Sequence, residues 1–198
     1  RNRVRPRVDA ESAGFRARQS HSFIPIDACP VATEGINATL SDSSSPLFAN
    51  TGDSPQEITV FDAGSTLYYS ERDANASLEI LGQRFDFDPR GFSQSNVALL
   101  PALADHLAEA VSARTVVDLY AGAGLLPFLS IAAAPERSTI SWVYAVEPDQ
   151  RNLRFLRGNI TGVDRSVHVD TRRATAEKAL PSVKWRATMA PDGQAATQ

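Results

Sequence analysis

Between residues 115 and 134 a β-rich run, Thr115-Val116-Val117-Asp118-Leu119-Tyr120, gives way through Ala121-Gly122-Ala123-Gly124 to an apolar helical stretch that begins at Leu125. A strand that hands over to a helix through glycines is the first half of a strand–helix–strand unit. Parallel strands joined in this way occur almost only in sheets covered by helices, so this segment sets aside most all-β and all-helical architectures. The pattern repeats downstream. A second strand at residues 141–146 ends at Glu147, Pro148 opens a helix on which Leu153, Leu156 and Ile160 align, Gly162 closes it, and a third strand is expected at residues 166–169. The succession predicts an α/β chain that starts a doubly wound parallel sheet.

Upstream, Leu100, Leu103, Leu107 and Val111 recur at spacings of three, four and four, which places them on one helix face. Proline is tolerated only in a first helical turn. The helix therefore either begins at Pro101 or begins at Asn96 and kinks. Before about residue 90 the period is two, with short strands expected at residues 3–8, 14–18, 23–26, 58–61, 66–69 and 78–87. Ile58-Thr59-Val60-Phe61 and Thr66-Leu67-Tyr68-Tyr69 flank Asp62-Ala63-Gly64-Ser65, a hairpin signature. One or two helical turns are expected near residues 31–40, and residues 41–55, rich in Ser, Asn, Asp, Gly and Pro, read as a mobile loop. The expected organisation is an antiparallel β subdomain over residues 1–90 and a partial Rossmann-like, cofactor-binding domain over residues 91–198.

Hydrophobic residues make up 42% of the chain, enough to fill a core and exclude disorder throughout. No apolar run approaches the roughly 18 residues of a membrane span, and no apolar signal core follows the basic start. A soluble, cytoplasmic protein without a membrane partner is expected. The net charge of -3 hides an asymmetry: residues 1–20 hold six arginines against Asp9 and Glu11, whereas Asp27 to Glu79 supply nine carboxylates against Arg72. In an extended strand Arg1, Arg3, Arg5 and Arg7 share one face. Such a row suits a phosphate backbone, and it equally suits a solvated edge strand protected by its charges.

The stretch Asp118 to Gly124 carries the chemistry. Glycines let the backbone pass close to a ligand, and the following helix presents its free N–H groups to the crevice. A dinucleotide fingerprint needs a third glycine where Pro127 stands, and a P-loop needs a lysine, of which none precedes Lys178. S-adenosylmethionine fits better, because its sulfonium and amino groups want a carboxylate near the glycine turn and it has no pyrophosphate. Asp118 would meet that need, and Glu147 at the tip of the second strand would accept hydrogen bonds from ribose hydroxyls.

Phe85-Asp86-Phe87-Asp88-Pro89-Arg90-Gly91-Phe92-Ser93-Gln94-Ser95-Asn96 resembles the F-x-F-x-P-x-x-F-x-Q-x-N signature of the RNA uracil-C5 methyltransferases, which act on transfer and ribosomal RNA. The glycine motif, Ala145-Val146-Glu147-Pro148 and Asn159 are similar to that family as well, and Asp27-Ala28-Cys29-Pro30-Val31 follows the order seen in members that hold an iron-sulfur cluster. The resemblance covers roughly residues 1 to 177 and implies cofactor contacts from Gln94, Tyr120 and Glu147, which join Asp118, Gly122 and Gly124 read from the glycine turn. It places Phe92 beside the target base and makes Cys29 the last of four cluster ligands in full-length members. Leu125 departs from the small polar residue common there, and Arg173 stands where some members contact adenine.

The resemblance also implies a cysteine that adds to uracil C6, activating C5 for methyl transfer, followed by proton removal by a carboxylate. That thiol should follow a D-P-P-R segment beyond Glu147. Cys29 lies on the wrong side of the glycine motif, and the tail offers only Ala190-Pro191-Asp192-Gly193 near the expected place. The chain is accordingly expected to represent a fragment lacking both ends of the family, inactive alone and prone to self-association through an exposed sheet edge. A non-catalytic RNA- or cofactor-binding homologue is the alternative. A small-molecule methyltransferase is disfavoured by the F-x-F-x-P-x-x-F-x-Q-x-N stretch.

Overall fold

The computed structural model describes residues 1–49, 51, 55–133 and 138–180. They form two compact units, one from Arg1–Ile80 and Arg84–Leu100, the other from Leu81–Gln83 and Pro101 onward. Among the described residues no helix is long and apolar enough to cross a membrane.

The first unit is antiparallel. β1 (Arg3–Val4) pairs with β6 (Val60–Asp62), which pairs with β7 (Leu67–Tyr69). β2 (Arg7–Val8), β3 (Ala13–Arg16), β4 (Phe23–Pro25) and β5 (Gln56–Glu57) form a four-stranded sheet in the order β4-β3-β2-β5. The strand expected at residues 3–8 is thus divided at Pro6, which has no N–H to give to a ladder. Register is kept across the break, with Arg3 opposite Phe61 and Arg7 opposite Glu57. Val4, Pro6 and Val8 are buried, so the arginines do share the other face.

That basic face is largely engaged by the protein itself. Arg5 pairs with Glu57 at 2.8 Å, Arg7 donates to the Pro55 carbonyl at 3.3 Å, and Arg3 donates to the Gly91 carbonyl at 3.1 Å. The expected hairpin forms, with Val60 opposite Tyr69 and the Asp62 carboxylate accepting from the Gly64 N–H at 2.7 Å. Helix α1 (Glu34–Ser41) supplies Ile36 and Leu40 to a core with Val4, Val8, Ala13, Ile58, Val60 and Tyr69. The stretch read as a mobile loop also reaches that core: Leu47 is fully buried, and Ser45 Oγ donates to the Thr39 carbonyl at 3.0 Å.

Residues 78–87, read as one strand, are a hairpin of β8 (Ala76–Ile80) and β9 (Gln83–Phe87). The turn residues Leu81 and Gly82 both have positive φ, 54° and 71°. Two consecutive left-handed residues match the twist of antiparallel strands. Gly82 was the signal, and the bulky Leu81 beside it hid the turn.

In the second unit, α2 (Leu100–Ala110) is preceded by a 3-10 turn at Val97–Leu99, so Pro101 sits in the first α-helical turn and no kink is needed. β10 (Thr115–Leu119), β11 (Trp142–Val146) and β12 (His168–Arg172) form a parallel sheet in that order, with Thr115 opposite Trp142 and Trp142 opposite His168. The strand expected at residues 166–169 begins two residues later and runs further. Asp170 and Arg172 look polar for a strand, yet register with Tyr144 and Val146 carries them into the ladder. α3 (Leu125–Ala132) follows β10 and α4 (Gln150–Val163) follows β11, and the two crossovers step the same way across the sheet, so both helices cover one face. Their core comprises Ala121, Ile131, Ile140, Val143, Ala145, Leu156, Ile160, Val167 and Val169. α4 starts at the N-cap Asp149 rather than at Pro148 and runs past Gly162. Among the described residues, β10 and β12 each have a strand partner on one side.

Candidate functional site

The carboxyl ends of β10 and β11 bring together most of the residues singled out in the glycine region. After β10 the chain turns through three left-handed residues, Tyr120 (φ 65°), Gly122 (φ 56°) and Gly124 (φ 84°). The two glycines serve different ends. A Cβ on Gly124 would lie 3.0 Å from Leu156 Cγ and 3.5 Å from Ile160 Cδ1, so its bareness lets α4 pack against the turn. A Cβ on Gly122 would meet nothing within 4 Å, so its open side leaves room for a ligand. Asn159 fixes the loop from α4 by donating to the Ala123 carbonyl at 2.9 Å.

Glu147 is buried and already occupied. Its Oε2 accepts from the Gly122 N–H at 2.9 Å, while Oε1 accepts from the Asp149 N–H at 2.9 Å and from Asn152 Nδ2 at 3.3 Å. A carboxylate offers about four acceptor positions. Three are used in bracing the glycine turn against the start of α4, a role that sequence reasoning missed because the two segments are 25 residues apart. The turn's N–H is satisfied by the protein's own anion, which accords with a site that takes no phosphate.

Asp118 is the complement of Glu147. Its side chain is buried, and its Oδ2 has no hydrogen-bond partner among the described residues. Burial, and secondarily the negative charge of Glu147, push its pKa up to about 6. Two buried carboxylates at adjacent strand ends, one lacking a donor, make a site that favours a cation.

Tyr120 is exposed, and its hydroxyl donates to Glu177 on α5 (Ala176–Ala179) at 2.7 Å. This bond holds the Tyr120 phenol above its ordinary pKa and Glu177 below its own. Glu177 carried no sequence signal. Arg173 Nε donates to the Pro148 carbonyl at 3.3 Å and its Nη1 to Gln150 Oε1 at 3.0 Å, so its guanidinium secures the loop after β11.

Phe92, Gln94 and Cys29 belong to the first unit. Phe92 is 76% exposed, an unusual state for phenylalanine, and Gln94 is exposed as well. Cys29 is half-buried against the first core, and Asn37 clamps its backbone by accepting from its N–H at 2.8 Å and donating to its carbonyl at 3.2 Å. Among the described residues no three metal-ligating side chains gather, around Cys29 or elsewhere. Ala190-Pro191-Asp192-Gly193 lies outside the described residues.

The chain overlays on the Pyrococcus abyssi tRNA (uracil-54, C5)-methyltransferase, solved in complex with S-adenosyl-L-homocysteine, with a TM-score of 0.59 at 15% identity, covering 88% of this chain and 55% of that one. The chain has a methyltransferase fold. A Treponema denticola protein named as an uncharacterized RNA methyltransferase is 24% identical over 149 residues, which is 75% of this chain and 34% of that protein. The chain therefore spans about a third of the curated relative and about half of the solved structure. No family model matches it.

Proposed function

We propose that this chain is the cofactor-binding part of an S-adenosylmethionine-dependent RNA methyltransferase that acts on C5 of uridine in tRNA or rRNA. The observation that carries the reading is the buried Asp118 carboxyl, its Oδ2 without a hydrogen-bond partner among the described residues, near the end of β10 ahead of the open Gly122, at the strand ends where this fold binds nucleosides. S-adenosylmethionine fits there, and when bound it supplies an electrophilic methyl group. Asp118 would hold its cationic portion. Glu147 holds the turn through Gly122 and has about one acceptor position left for a ribose hydroxyl. Tyr120 belongs to the same strand end, and the family signature separately suggests a cofactor contact for Gln94 and a place beside the base for Phe92.

The similarity to a protein named as an RNA methyltransferase and the F-x-F-x-P-x-x-F-x-Q-x-N stretch support RNA as substrate and uracil C5 as target. The thiol that would activate uracil C6 is not among these residues at the required place, since Cys29 is the only cysteine and precedes the glycine motif. Mixed with methyl-labelled cofactor and RNA carrying 5-tritiated uridine, the chain is expected to retain both ligands and release no tritium. Tritium release by the chain alone would contradict this account of the nucleophile. Methylation without tritium release would contradict uracil C5 as the target.

A further inference from the structure

Residues 88–96 form no helix or strand, so their backbone groups must be satisfied by other means. The segment is fastened at both ends. At its start Asp88 is fully buried and accepts from the Arg90 N–H, Nε and Nη2 at 2.9, 2.8 and 2.9 Å, while the Gly91 N–H returns to the Asp88 carbonyl at 2.9 Å. The half-buried Arg3 then donates to the Gly91 carbonyl at 3.1 Å. At its end the Asn2 N–H donates to the Ser95 carbonyl at 2.6 Å, and Asn2 Oδ1 accepts from the Val97 N–H at 3.4 Å. Asn2 is itself tied to β6, with the Asp62 N–H donating to its carbonyl at 2.8 Å and its Nδ2 donating to the Asp62 carbonyl at 3.0 Å. Between these anchors Phe92 stands out with 76% of its surface exposed. An apolar ring held in water by a fixed backbone is a stacking surface for a flat, unpaired ligand such as a nucleobase.

We propose that Arg3, with Asn2 and the Asp88–Arg90 pair, is a positioning residue that fixes the loop presenting Phe92 to a nucleobase, and that Arg3 is not a phosphate contact of the basic strand. The nucleobase rests on the RNA reading above; the fixing of the loop does not. An arginine that neutralises a phosphate contributes about 0.9 to the slope of log affinity against log salt. An arginine that acts by holding Phe92 leaves that slope unchanged, and its effect disappears once Phe92 is gone.

The test measures binding of a fluorescein-labelled, uridine-containing stem–loop RNA across a salt series for the wild-type chain, Arg3→Gln, Phe92→Ala and the double variant. The expected result is a severalfold weakening by Arg3→Gln at unchanged slope, with no further weakening when it is added to Phe92→Ala. A slope reduced by about one, or additive losses, would overturn the assignment. Hydrogen exchange at the hydrogen-bonded amides of Arg90, Gly91 and Val97 without RNA is the second readout, with the β3 and α1 amides of the same unit as the folding control. Arg3→Gln should speed exchange there at least tenfold while Arg3→Lys, which keeps a donor, speeds it less. Unchanged exchange in Arg3→Gln would overturn the assignment even if the wild-type chain bound no RNA, a result that would by itself count only against the RNA reading.

Discussion

Asp118 and Glu147 show how two acidic residues at the ends of neighbouring strands can have opposite consequences. Asp118 has a folded pKa of about 6 against an unfolded value near 3.8, so between those limits the folded chain binds more protons than the unfolded one. Its contribution to stability is therefore fully present below about pH 4 and is lost as pH rises through about 6. A shift of this size corresponds to roughly 3 kcal/mol. Asp118→Asn should raise stability at pH 7.5 by a few kcal/mol, measured by urea unfolding, while weakening any cationic ligand. An equal or lower stability for that variant at pH 7.5 would show that the carboxylate is better accommodated than its geometry indicates. Glu147→Ala removes the acceptor for three donors, two of them part-buried, and should cost about 2 to 4 kcal/mol, at about 1 kcal/mol for each donor left unpaired. A loss below about 0.5 kcal/mol would exclude the bracing role. The positions of both acids were legible from the strand pattern. What the sequence hid was that Glu147 is mostly consumed in tying the turn to the start of α4.

Among the elements, the loop between β10 and α3 and the β8–β9 turn show where local sequence succeeds and where it fails. Gly122 and Gly124 announced a left-handed turn, but their separate duties depend on α4, which arrives later in the chain. Gly124→Ala has both a φ of 84° and Leu156 at 3.0 Å against it, whereas Gly122→Ala meets only the φ of 56°. Thermal unfolding should therefore show a larger loss for Gly124→Ala, by at least about 1 kcal/mol, with Gly122→Ala near 1 kcal/mol. Equal losses would mean that α4 yields to the new methyl group. At the β8–β9 turn, Leu81→Asn creates an Asn-Gly pair in a conformation that suits it and should stabilise the chain by about 0.5 to 1 kcal/mol. No gain would contradict the left-handed assignment of Leu81. The parallel sheet was legible because glycine, proline and acidic residues punctuate each strand end. The N-terminal strands were placed to within a few residues, but residues 78–87 were misread because one continuous apolar and charged run conceals a turn carried by a single glycine. Leu47 was missed for the converse reason, an isolated core residue in a polar stretch whose burial depends on α1 and β6.

Across the whole molecule, a methyltransferase fold carries a pair of buried carboxylates at neighbouring strand ends. The same carboxylate that destabilises the fold near neutral pH is the group that a cationic ligand would satisfy, a trade of stability for binding often found at functional sites. Proton linkage follows directly. A cation beside Asp118 lowers the carboxyl's pKa, so affinity should be highest above about pH 6 and fall by at most tenfold per pH unit below it. The measurement that tests the central claim most directly is isothermal titration calorimetry of S-adenosylmethionine into the purified chain at pH 7.5 and pH 5, with Asp118→Asn alongside. The account predicts saturable one-to-one binding at pH 7.5 that weakens at pH 5 and is reduced at least tenfold in the variant. Folded protein that gives no heat at pH 7.5, or binding indifferent to both pH and Asp118, would contradict it.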